Sequence, residues 1–240
     1  MRLAPALAIL STLACASAAP RPAFGLTMYD LTRVVGAETR SVDELYEPIS
    51  EEASDGVVSS EPGLFEESVA PTCSTLLCAP ATASQTSQTT SRGFTGSGSA
   101  YGESYWNHEG LQFDETQAGS LASFRFTLTE TTPYSLSIVQ EADGSPDGFA
   151  FVEVRIERLT DGFYLVGVEG TTEETIHGVL EPGSYEFGAG GYVDSSTYSV
   201  PAAYDEITWA VTFEVPEPGS AFLFLLIALG WLGCARRAGR

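Results

Sequence analysis

From Ile207 to Val215 large apolar residues occupy every second position: Ile207, Trp209, Val211, Phe213 and Val215 alternate with Thr208, Ala210, Thr212 and Glu214. A period of two places alternate side chains on one face, which suits a half-buried strand and destroys the stripe of a helix. The pattern recurs upstream. Within Leu121–Thr129, Phe124, Phe126 and Leu128 face one way, and Arg125, Thr127 and Thr129 the other. Pro133 breaks the chain, and Tyr134, Leu136 and Ile138 resume the alternation. After a turn at Asp143-Gly-Ser-Pro-Asp147-Gly, Val152, Val154 and Ile156 alternate with Glu153, Arg155 and Glu157. Asp161-Gly162 predicts a type I′ hairpin turn before a strand over Phe163–Val168. No stretch of the body sustains a helical period. The expected fold is all-β, an antiparallel β-sandwich of jelly-roll-like type.

Elsewhere the pattern is weaker. Residues 20–62 are acidic and read as partly irregular, with a first edge strand at Leu26–Asp30. Glu47-Pro48, Glu51-Glu52 and Ser59-Ser-Glu-Pro62 read as exposed loop. Ala83–Thr90 lacks Pro and Gly and is rich in threonine, which predicts a strand. Gly96-Ser-Gly98-Ser reads as a turn or bulge. In Leu180-Glu-Pro182-Gly183-Ser-Tyr185-Glu-Phe187 one strand ends, Pro-Gly turns the chain, and Tyr185 and Phe187 open the next strand facing inward. The element is similar to turns in many extracellular β-sandwiches and bears on fold alone.

Both ends of the chain carry addresses. Arg2 precedes a short apolar run, Leu3 to Cys15, and small residues follow at Ala16-x-Ala18. This is the layout of a secretory signal peptide, residues 1–18, with cleavage after Ala18 or alternatively after Ala16. A lipoprotein signal ending at Cys15 is the competing reading, with only Ala14 fitting it well. At the other end, Pro216-Glu217-Pro218-Gly-Ser leads into an unbroken apolar run from Ala221 to Ala235, closed by Arg236, Arg237 and Arg240. As a helix that run is about 22 Å long. It spans a core of roughly 30 Å only with flanking residues, local thinning or snorkelling arginines, which places a transmembrane helix at about residues 219–235. The arginines hold the cytoplasmic side by the positive-inside rule, leaving residues 19–215 outside.

Pro-Glu-Pro, an apolar helix and a terminal arginine cluster, in that order, resemble the PEP-CTERM sorting signal of Gram-negative bacteria. The resemblance covers residues 216–240. It implies recognition by exosortase, an integral-membrane cysteine transpeptidase-like enzyme, and a link to exopolysaccharide production. It also implies a precursor associated with the inner membrane and a destination at the cell surface or in the extracellular matrix. The chemistry suits that role, since two prolines keep the segment extended just outside the bilayer. The chain has no lysine and no LPxTG-like motif, which weighs against the Gram-positive sortase counterpart.

The chain holds 11 Lys+Arg and 32 Asp+Glu. Four of the arginines and one glutamate lie in the terminal segments, leaving residues 19–215 with seven against 31, a net charge of −24. Such a surface repels nucleic acid and favours solubility, with neutral polysaccharide or divalent cations as compatible partners. Cys73 and Cys78 are the pair that remains in this region, and in an oxidising compartment they read as a small disulfide loop.

Catalytic signals are weak. No H-E-x-x-H, G-x-S-x-G or ordered Ser/His/Asp set is present, and paired carboxylates such as Glu51-Glu52, Glu66-Glu67 and Glu173-Glu174 follow from an acidic composition. No enzyme activity, cofactor or metal is expected. Glu141, Asp143 and Asp147 could sit near a calcium ion, but their spacing matches no EF-hand. The polar aromatic cluster Tyr105-Trp106-Asn107-His108-Glu109 supplies the candidate contact residues for carbohydrate, Tyr105 and Trp106, against the plainer reading that they pack on the sandwich edge.

Overall fold

The computed structural model describes residues 27–43, 49–73, 78–107, 112–146, 148–196 and 202–215, and every regular element among them is a strand. The strands are β1 (Thr27–Asp43), β2 (Ile49–Ser59), β3 (Leu64–Val69), β4 (Ala81–Thr90), β5 (Gly93–Asn107) and β6 (Gln112–Leu128). They continue as β7 (Thr132–Gly144), β8 (Phe149–Arg158), β9 (Phe163–Glu169), β10 (Thr172–Leu180), β11 (Gly183–Ser196) and β12 (Ala202–Glu214). All pair antiparallel, in two sheets. The first runs β2-β1-β6-β11-β8-β9 and the second β3-β4-β5-β12-β7-β10. The sheets meet at one corner, where Trp106 lies opposite Phe113 and Asn107 opposite Gln112. From β5 onward the pairing nests: β5 with β12, β6 with β11, β7 with β10 and β8 with β9. The result is a β-sandwich-like arrangement.

The alternating runs point inward as their period demands. Phe124 and Phe126 of β6, Tyr185 and Phe187 of β11 and Phe213 of β12 are buried together with Phe94 of β5. Phe124 sits at the centre, its ring centroid 5.0 Å from Phe187, 5.6 Å from Phe94 and 5.9 Å from Phe126. Burying side chains of this size contributes roughly 1.5–3 kcal/mol each. Tyr185 adds a clamp, its hydroxyl donating to the Glu181 carbonyl at 2.6 Å across the Pro182-Gly183 turn.

Toward the corner the interior turns small and polar. Ser104, Thr116, Ser120, Ser195 and Asp205 are all buried, and each is hydrogen-bonded, as buried polar groups must be. Thr116 donates to the Glu103 carbonyl at 2.8 Å, and the Trp209 indole donates to Ser120 at 3.2 Å. The Asp205 carboxylate accepts the Ser145 backbone N–H at 2.8 Å, which ties the expected turn after β7 to strand β12.

Several expectations are corrected. The first strand is not a short edge strand at Leu26–Asp30. β1 runs to Asp43 and pairs on both sides, with β2 and β6. Its apolar signal is masked because Arg33, Thr39 and Ser41 share the buried face with Leu31, Val35 and Ala37. Arg33 is 1% exposed and donates to the carbonyls of Glu61 and Gly63, with its guanidinium 4.9 Å over the Phe65 ring. Burial lowers its pKa from the ordinary guanidinium value. The supposed loop around Glu51-Glu52 is strand β2, whose exposed acids are what an edge strand carries to discourage further pairing. The loop reading holds at Ser60-Glu61-Pro62.

Gly96-Ser-Gly98-Ser is neither turn nor bulge but the middle of β5. A Cβ at Gly96 would meet the Phe94 and Trp209 rings, and one at Gly98 would run into the Trp209 indole nitrogen, so these glycines make room for large neighbours. Pro133 lies inside β7, opposite Val179, and the break falls at residues 129–131. The hairpin after β8 is not a two-residue turn. Arg158 pairs with Phe163 across residues 159–162, and the loop closes through the Gly162 N–H on the Arg158 carbonyl at 2.9 Å. Gly162 takes φ +63°, the left-handed value that ends such a loop. The threonine-rich strand is found, as β4.

Candidate functional site

Strand β5 leaves the core at the corner with Tyr101, Glu103 and Tyr105 on its outward face, because inward positions fall on Gly102 and Ser104. Across the sheet, Tyr204 of β12 lies opposite Glu103, and Glu206 lies opposite Tyr101. The patch therefore carries three tyrosines around Glu103, with Glu206 beside Tyr101, and Tyr105 is 44% and Tyr204 55% exposed. Both Tyr101 and Tyr105 donate their hydroxyl protons to Glu103, one to each carboxylate oxygen.

That arrangement holds the phenols protonated. The Tyr105 hydroxyl is pushed above the ordinary phenol range chiefly by its bond to Glu103, then by burial and by the charges of Glu103 and Asp114. For Tyr101 burial leads and the Glu103 bond follows, again upward. Both Glu103 oxygens are taken up by phenol donors, and Tyr105 and Tyr204 remain exposed at the outer surface, where aromatic side chains can stack on a ligand.

Of the residues singled out in the sequence, Tyr105 stands on this patch. The backbone of Trp106 pairs with Phe113 at the corner, but its side chain and the whole of His108 lie outside the described residues. Tyr101, Glu103 and Tyr204 were missed. Tyr101-x-Glu103-x-Tyr105 carries the period of two that could have revealed the first two; Tyr204 joins only through strand pairing.

Cys73 and Cys78 form a disulfide with Cα atoms 5.8 Å apart. Thr39 at the end of β1 donates to the nearby Ala79 carbonyl at 2.8 Å, fixing this crosslinked segment to the first sheet. So short a loop contributes about 2 kcal/mol in the chain-entropy account. His177 is exposed on β10. Glu141 and Asp143 are on β7, Asp147 lies outside the described residues, and among those described no three His, Cys, Asp or Glu converge on one point. The expected leader (1–18), Pro216, Glu217 and Pro218, the apolar run, and Arg236, Arg237 and Arg240 also lie outside the described residues. Comparison with protein-family models, with curated proteins and with solved structures gave no match.

Proposed function

We propose that the chain is an exported, non-enzymatic protein of the Gram-negative envelope, held at the membrane by its tail and passed to an exosortase-type enzyme. Its body works as a structural or adhesive module in an exopolysaccharide matrix. One observation carries this reading. Val215, the last inward-pointing residue of the body, donates its N–H to the Arg92 carbonyl at 2.8 Å, and the Pro-Glu-Pro tail begins at the next residue. In the sequence the Pro-Glu-Pro motif follows the last strand with only Val215 between, which supports reading it as a tail separate from the folded body. The disulfide and the acidic surface suit an oxidising, aqueous destination.

We also read the body as a jelly roll, on the nested pairing of β5–β12, with β1–β4 extending both sheets on the same side. A carbohydrate-binding module is the second reading, favoured by the exposed tyrosines around Glu103. Intact-mass measurement of the protein from an exosortase-positive host and from its exosortase deletion strain tests the sorting claim. The tail should be missing from the first and present in the second. Full-length C termini in both would remove the sorting claim.

A further inference from the structure

The outer face of the first sheet carries a trough of about 420 Å³ across β11, β6, β1 and β2. Strand register builds it: Phe151 of β8 lies opposite Tyr192, Tyr192 opposite Gly119, Gly119 opposite Gly36, and Gly36 opposite Gly56. One row across the sheet is therefore two aromatic rings followed by bare backbone over three strands. Phe149 completes the aromatic head, its centroid 5.5 Å from Tyr192 and 6.2 Å from Phe151. Tyr192, which lines the depression, is 45% exposed, and Phe149 beside it is 49% exposed.

Packing does not require the floor to be bare. A Cβ on Gly36 would come no nearer than 3.9 Å to the Asp55 carbonyl, and one on Gly119 no nearer than 3.4 Å to the Tyr192 Cβ. Glycine weakens a strand, and where packing does not demand it an interior glycine marks a close approach by something else.

The walls state what that something is. Along one side the next row reads Asp194, Gln117, Glu38 and Ser54, with the Gln117 amide donating to Asp194 at 3.2 Å. The proton affinity of Asp194 is raised by burial first and then by the charges of Glu115 and Asp205. No cationic side chain lines the described trough. Carboxylates and an amide accept and donate hydrogen bonds to hydroxyl groups but repel anions, and aromatic faces take the C–H side of a sugar ring. Three strand spacings give a floor of about 14 Å, room for a short run of rings.

We propose that this trough binds a neutral polysaccharide chain, stacked on Tyr192 and Phe149 and lying over Gly119, Gly36 and Gly56. The inference rests on the matrix role above and sharpens it, at a place separate from the Tyr105 patch.

The test is affinity electrophoresis of the full chain in native gels cast with neutral glucans and galactomannan, against an alginate gel as anionic control. Retardation is expected in a neutral gel and not in alginate. Tyr192→Ala should weaken it roughly tenfold, and Gly36→Val, which fills the floor, should abolish it while the melting temperature holds. Tyr164→Ala, which removes an exposed aromatic on β9 away from the trough, should leave it unchanged. No retardation in any neutral gel overturns the proposal, as does retardation that survives both trough variants. Loss with Tyr105→Ala alone overturns the trough while keeping the polysaccharide partner. The export claim is read separately by mass.

Discussion

Phe124→Ala is expected to destabilise the protein by about 3–5 kcal/mol, because it removes the central ring of the core and leaves a cavity that rigid strands cannot close. Phe94, Phe187 and Phe126 all lose a partner at once, and they come from both sheets, so the loss loosens the packing that holds the sheets face to face. Phe124→Leu keeps most of the volume and should cost less than half as much. Urea unfolding monitored by tryptophan fluorescence reads both variants. A loss under about 1 kcal/mol for the alanine variant would show that the aromatic cluster is not the core.

Gly190→Ala is the second large effect, and it acts through the backbone. Gly190 takes φ +135°, a conformation that L side chains rarely adopt, in the middle of β11. A Cβ there would drive into the Ser120 carbonyl oxygen and lie 2.8 Å from the Leu121 Cα, so neither a rotamer change nor a side-chain shift relieves it. Strain and overpacking together cost about 3–5 kcal/mol. The expected result is a chain that is largely unfolded or recovered as aggregate, whereas Gly36→Ala, whose Cβ meets nothing nearer than the Asp55 carbonyl at 3.9 Å, should melt close to the parent. Equal melting temperatures for the two variants would contradict the register of β6 with β11.

The sequence was most legible where one face of a strand is uniformly apolar. β6, β7, β8 and β12 could be read directly, because Phe124, Leu136, Val154 and Trp209 each sit in an unbroken period of two. β1 could not, since Arg33, Thr39 and Ser41 occupy buried positions, and Arg33 and Thr39 find their partners in segments far along the chain. β5 hid for the opposite reason: two of its inward positions are Gly96 and Gly98, which carry no hydrophobic signal yet make room for the Trp209 and Phe94 rings. The glycine trough was beyond reach altogether. Gly36, Gly56, Gly119 and Tyr192 have no local pattern in common, and only the pairing of four strands sets them side by side.

The claim on which the remainder depends is that the body lies outside the cytoplasm. Alkaline phosphatase, which matures only where disulfides form, can be inserted between Val215 and Pro216 of the full chain and assayed in intact cells. Strong activity is expected, and it should disappear when residues 1–18 are deleted. An inactive fusion that is present at full length and faces the cytosol would contradict the claim.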